Sequence, residues 1–210
     1  MEALDPTEVR VLGALIEKEA TTPEYCPLSL NALVNACNQK SNRDPVVDYD
    51  AETVYDTVNR LRERRLALTI TGSGRVDKYS QRISETLNLG RRELAALCTL
   101  LLRGPQTLGE IKDRSERMYG FADLQEAEIV LEKLADWPGG GLVRKLMRQP
   151  GQKEARYAHL LSGEPSSETM SQTPAQPSSR ISQLEDELSK LRSEFDDLKR
   201  RFEALESQLR

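Results

Sequence analysis

Only one histidine, His159, and three cysteines, Cys26, Cys37 and Cys98, occur in the 210 residues. A single histidine removes most hydrolytic triads and every histidine-rich metal site. The cysteines are odd in number and form no CxxC pair, which supports neither a disulfide framework nor a zinc knuckle. Cys37 and Cys98 fall on apolar helical faces and are expected in the core. Cys26, between Tyr25 and Pro27, is read as ordinary packing rather than a reactive thiol. No Gly-rich phosphate loop and no pairing of nucleophile with base can be assembled, so no enzyme activity, cofactor or metal is expected. No apolar run reaches the ~18 residues of a membrane span. Met1 leads into Asp5-Pro6-Thr7-Glu8 rather than a basic and then apolar signal, so a cytoplasmic protein with no membrane partner is expected.

Positive charge is also short. Thirty Lys and Arg against 34 Asp and Glu leave a net charge of −4, a poor footprint for an indiscriminate polyanion binder. By segment the balance is 11 − 14 = −3 over residues 1–86, 12 − 10 = +2 over 87–161 and 7 − 10 = −3 over 162–210. Any nucleic-acid surface must therefore be local.

Asp5-Pro6-Thr7-Glu8 supplies an N-cap, a proline for the first helical turn and a capping-box glutamate, followed by Val9, Leu12, Leu15 and Ile16 on one side. A second helix is predicted from Ser29, with Leu30, Leu33, Val34 and Cys37 at i, i+3, i+4, i+7. A third follows Asp50 with Val54, Val58 and Leu61 inward. Leu66, Leu68 and Ile70 then alternate into Gly72-Ser73-Gly74, and Arg75 to Tyr79 return as a second strand. The same order recurs: a helix carrying Leu94, Leu97, Cys98 and Leu101, a capping box at Thr107 and Glu110, a helix opened by Asp123, and a hairpin over Leu142–Met147 and Ala155–Leu160. Matched positions lie 85 apart (Glu8, Glu93), 78 apart (Ser29, Thr107), 73 apart (Val54, Ala127) and 78 apart (Tyr79, Tyr157). One unit is used twice. The first copy is longer between its second and third helices, where CNQKSNRDP (residues 37–45) crowds three amides, two cations and an acid.

Three helices and a hairpin give a winged helix-turn-helix. The expected class is mainly α with small β-hairpins (α+β): two tandem winged helix-turn-helix domains at 1–86 and 87–161, a flexible linker at 162–180 and a coiled-coil helix at 181–210. PLSLNALVNACNQKSNRDPV, LLLRGPQTLGE and RMYGF resemble the YceH-like family of bacterial proteins over roughly residues 4–161. The resemblance implies tandem winged helices and brings no assigned cellular role. Cys26 departs from it, standing before Pro27 where related proteins tend to carry an aromatic.

In a winged helix the third helix meets the major groove and the hairpin a phosphate track, so both must present cations or amides. The expected grip on DNA is made by the first copy through Lys40, Asn42, Arg43, Arg60, Arg64, Arg75 and Lys78. Asp50, Glu52 and Asp56 oppose it, since acids in that half of the helix are repelled by phosphate. Alternatively, Asn38 caps the second helix, Asn42 and Asp44 fold back as Asx turns, and the arginines are a solvated face. The second copy has an acidic third helix but a hairpin rim of Arg144, Lys145, Arg148, Lys153 and Arg156, and is read as a spacer or docking unit.

Ser162 to Ser179, with three prolines and few large apolar residues, reads as a linker. Beyond it Ile181, Leu184, Leu188, Leu191, Phe195, Leu198, Phe202, Leu205 and Leu209 alternate in steps of 3 and 4, the a and d pattern of a coiled coil. Arg180, Glu187, Glu194 and Arg201 at g oppose Glu185, Arg192, Lys199 and Glu206 at e in a parallel pairing. A parallel homodimer is expected; two phenylalanines at a leave a trimer open. The expected function is that of a dimeric DNA-binding protein in the manner of a transcriptional regulator. The alternative is a winged-helix adaptor that binds another protein.

Overall fold

A computed structural model describes residues 2–71, 76–148 and 152–164. The expected coiled coil, all but the first residues of the expected linker, and Arg75 lie outside the described residues.

Helix α1 (Pro6–Thr21) is capped as its sequence dictates: the Asp5 carboxylate accepts from the Glu8 amide at 2.8 Å while the Asp5 amide donates back to Glu8. Hydrogen bonds from Thr7 and the Glu8 amide, with the Arg60 charge, outweigh burial and hold Asp5 below the ordinary carboxylate range. A 3-10 turn over Pro23–Tyr25 leads to β1 (Leu28–Ser29) and α2 (Leu30–Cys37), where Ser29 is the N-cap. Then come α3 (Ala51–Glu63), β2 (Ala67–Ile70), β3 (Lys78–Gln81) and a four-residue α4 (Ile83–Thr86). The second half runs α5 (Arg91–Arg103), β4 (Gln106–Thr107), α6 (Leu108–Ser115), α7 (Leu124–Ala135), β5 (Val143–Lys145) and β6 (Arg156–His159). The class is α+β, with two small antiparallel sheets ordered β1-β3-β2 and β4-β6-β5.

The duplication is visible in strand register. Leu28 faces Tyr79 and Ser29 faces Lys78; 78 residues on, Gln106 faces Tyr157 and Thr107 faces Arg156. Each two-residue strand pairs with the hairpin and runs directly into the next helix, its second residue (Ser29, Thr107) serving as the N-cap.

The core runs without a break across both halves because α1 lies directly on α5. Gly13 makes that approach close: a Cβ there would sit 2.8 Å from Leu102 Cδ2 and 3.3 Å from Leu101 Cβ. The Gly13 carbonyl also accepts from the buried Cys98 thiol at 3.3 Å. Burial drives the Cys37 thiol up to about 12, and Cys98 is raised by the same cause. Both belong to the core, as their apolar faces indicate.

Candidate interaction surface

Residues 37–45 form a brace rather than a contact loop. The Arg43 side chain is 0% exposed; its Nη2 meets Glu17 Oε2 of α1 at 2.6 Å and it also donates to Ala36 O, Asn42 O and Gln39 Oε1. It has no route to a phosphate, which corrects the expectation that it grips DNA. A buried cation must be paired, and α1 supplies the pair. Buried Arg10 crosses beneath, donating to Cys37 O at 3.1 Å and to Pro45 O. Asn38 exchanges two 2.8 Å hydrogen bonds with the Tyr49 backbone, closing the loop in place of a groove contact. The Asp44 amide donates to Leu102 O of α5 at 2.9 Å. Asn42 adopts a left-handed backbone, φ 59°, which asparagine tolerates, and its Oδ1 accepts from Arg103. Of the candidates in this stretch, Lys40 and Asn42 face solvent.

The arginines that end α3 turn back onto α1. Arg60 Nη2 reaches Asp5 Oδ2 at 2.9 Å and Arg60 Nε lies 3.6 Å from the buried Glu8. Arg64 Nε stands 3.3 Å from the same Glu8 and also meets Glu2 at 3.5 Å. In the second half Lys133 Nζ meets the buried Glu93 at 2.7 Å. Glu93 is Glu8 displaced by 85, and Lys133 is Arg60 displaced by 73, the offsets at which the first and third helices repeat. A buried carboxylate at the start of each first helix is thus answered by a cation from each third helix. Although burial pushes Glu93 up, the Lys133 hydrogen bond, its own backbone amide and the Lys133 charge hold it below the ordinary range. Arg60 and Arg64 thus make ion pairs within the molecule, with the Arg60 side chain still 44% exposed. The signal for this was present in the sequence, because both members of the pair obey the repeat.

Lys78 is exposed on β3, while its counterpart Arg156 is turned inward to Glu110 at 3.2 Å and Pro105 O at 2.8 Å. The rest of the second hairpin's expected cationic rim is partly neutralised: Arg144 pairs with Glu164 and Lys145 with Glu128 of α7. Arg148 and Lys153 are exposed.

The third helices also present apolar and acidic residues outward, with the exposed Arg62 near the end of α3. Helix α3 buries Val54, Thr57, Val58 and Leu61 and exposes Tyr55 at 45% beside Glu52 and Asp56. Helix α7 buries Ala127, Val130, Leu131 and Leu134 and exposes Leu124 at 50% and Ile129 at 57% beside Gln125 and Glu132. Ile70 and Val76 flank α3 on its hairpin, and Met147, at 88%, stands on the other. Tyr55 and Ile129 do not stand out in the sequence, because each sits one position away from a core-facing residue, Val54 and Val130. No described helix is long and apolar enough to cross a membrane.

A family model described as "Protein of unknown function, DUF480" matches residues 4–152. The chain is similar to a UPF0502 protein of Solibacter usitatus, 51% identical over 205 residues that cover 95% of this chain and 98% of the other. It is also similar to UPF0502 proteins of Pelobacter propionicus (58% identical, covering 77% of this chain and 73% of that one) and Geobacter sulfurreducens (54%, covering 77% and 74%). None of these names describes an enzyme.

Proposed function

This chain belongs to the DUF480 family, the family of its YceH-like resemblance, and on that premise we propose a non-enzymatic winged-helix adaptor that docks a protein on α3 and α7. The winged-helix reading is supported by the order helix, short strand, helix, helix, hairpin in each half, with the hairpin's second strand central in each sheet. The observation that carries the adaptor reading is the outer face of α7: Leu124 and Ile129 lie exposed among acids, while the cations nearby are consumed by Glu93 and Glu128. A phosphate track is repelled by such a face, whereas exposed apolar side chains rimmed by charge suit a protein partner. A benzophenone amino acid in place of Ile129 or Tyr55, photo-activated in cells, is expected to give a discrete protein adduct. No adduct at either position, with adducts equally frequent at Arg148, would remove the reading.

A second reading, DNA gripping by the first half, is favoured by one observation. Lys40, Arg62, Arg65 and Lys78 are exposed and make no ion pair among the described residues. Fluorescence anisotropy of a labelled random duplex at about 50 mM salt tests it, because phosphate-driven affinity is greatest at low salt. A flat curve at tens of micromolar protein, on the order of the usual non-specific affinity, excludes it. In either reading the heptads at 181–209 join two copies, which raises the effective concentration of each face at its target.

A further inference from the structure

Where the 38–45 connection meets the C-terminal end of α5 and the end of α6, a narrow crevice of about 30 Å³ opens. Thr21, Asn42, Thr99, Arg103, Arg114 and Arg117 line it. The Thr21 and Thr99 hydroxyls donate to Glu17 O and Ala95 O within their own helices, and Arg114 Nη1 donates to Gln106 Oε1 at 2.6 Å, which leaves Arg103, Arg117 and the Asn42 amide as the principal donors lining the void. Cations outnumber carboxylates around it. Arg43 occupies Glu17, and Glu110 is divided between Arg114 at 3.0 Å and Arg156 at 3.2 Å. Arg103 and Arg117 make no ion pair among the described residues; Arg103 Nη2 rests on the neutral Asn42 Oδ1. Burial, followed by the like charges of Arg114 and Arg43, presses the Arg103 guanidinium below its ordinary value, against a weaker pull from Asp44 and Glu17. Among the residues that line the recess, three guanidiniums (Arg103, Arg114 and Arg117) against one carboxylate (Glu17) leave 3 − 1 = +2.

We infer that this crevice binds a small molecule through a terminal phosphate, with Arg103 and Arg117 as its ligands and Arg114, held by Gln106 and Glu110, adding positive charge. Two features select that chemistry. The excess of two charges is matched by a phosphomonoester dianion and only half matched by a diester within a nucleic-acid chain. The recess, about 30 Å³, exceeds the roughly 10–15 Å³ a cavity needs to hold a water and is small enough that only a headgroup is enclosed, with the rest of the ligand in solvent. Planar guanidiniums present paired donors at the spacing of phosphate oxygens, and such charge-assisted bonds are the strong ones. The site spans both halves, since Asn42 belongs to the first and the arginines to the second, so occupancy fastens the brace to α5 and α6.

Calorimetric titration of inorganic phosphate into the intact chain, at ionic strength fixed with chloride, tests the site. One saturable phosphate per chain is expected, weakened at least about tenfold by Arg103→Gln with Arg117→Gln, as loss of charged hydrogen bonds implies. Arg148→Gln, outside the crevice, is expected to leave it unchanged. Arg117 is exposed, so Arg117→Gln alone keeps the fold, checked by near-UV circular dichroism, and is still expected to bind several-fold more weakly. Heats equal to those of chloride, or an affinity unchanged in the double variant, would overturn the site. So would a random duplex that depends on Arg103 and Arg117 while free phosphate does not bind, which would assign these arginines to nucleic acid.

Discussion

Arg43→Met removes the cation but leaves Glu17 and the Ala36 carbonyl where they are, largely enclosed and without their partner. Breaking a buried pair from one side costs about 3 kcal/mol or more. Urea unfolding is expected to show a loss of that size, and a change under about 0.5 kcal/mol would mean that Arg43 is as free as its sequence context suggests. His159 is a second residue with a measurable consequence. Its Nδ1 is buried without a hydrogen-bond partner among the described residues, and burial lowers its pKa from 6.5 to about 4. The unfolded chain therefore binds the proton first as pH falls, so stability declines from about pH 6.5 towards pH 4. Melting temperature against pH over that window is expected to slope less steeply in His159→Gln; an identical slope would dismiss the histidine as a source of acid sensitivity.

At the scale of elements, the helices were legible because their ends are written locally. Asp5 with Glu8, Ser29, Asp50, Thr107 with Glu110 and Asp123 all cap the helices that they announce. The two-residue strands β1 and β4 were not, since two residues carry no period, and their pairing with β3 and β6 is settled some fifty residues away. The polar stretch at 37–45 was legible only as an insertion. Its alternative role, turns and a helix cap, comes closer to the structure than groove contact, but no local pattern reveals that Glu17 and Arg10 wait beneath it. The α1 and α5 crossing offers the sharpest test at this scale. Gly13→Val forces two methyl groups against Leu102 and Leu101, and overpacking of that kind costs about 1–3 kcal/mol. Thermal unfolding is expected to remain a single transition with a lowered midpoint, because the core is shared; two separate transitions would mean that the halves are energetically independent.

For the whole molecule the charge distribution and the repeat decide more than any single motif. Two cations that looked free in the sequence are paired with carboxylates inherited by both copies, Glu8 with Arg60 and Glu93 with Lys133, which leaves the exposed Tyr55, Leu124 and Ile129 as the apolar surface on offer on the third helices. If the C-terminal heptads join two copies, light scattering of the intact chain gives twice 23.7 kDa, about 47 kDa, and a chain ending at residue 164 scatters as a monomer. A monomeric intact chain would remove the dimer without touching the docking faces.

The docking faces themselves are tested most directly by affinity purification of the intact chain with and without nuclease, alongside an Ile129→Glu variant. A protein recovered in stoichiometric amount, indifferent to nuclease and lost from the variant, is the predicted result. Recovery of nucleic acid alone, or of a protein that the variant retains, would contradict it.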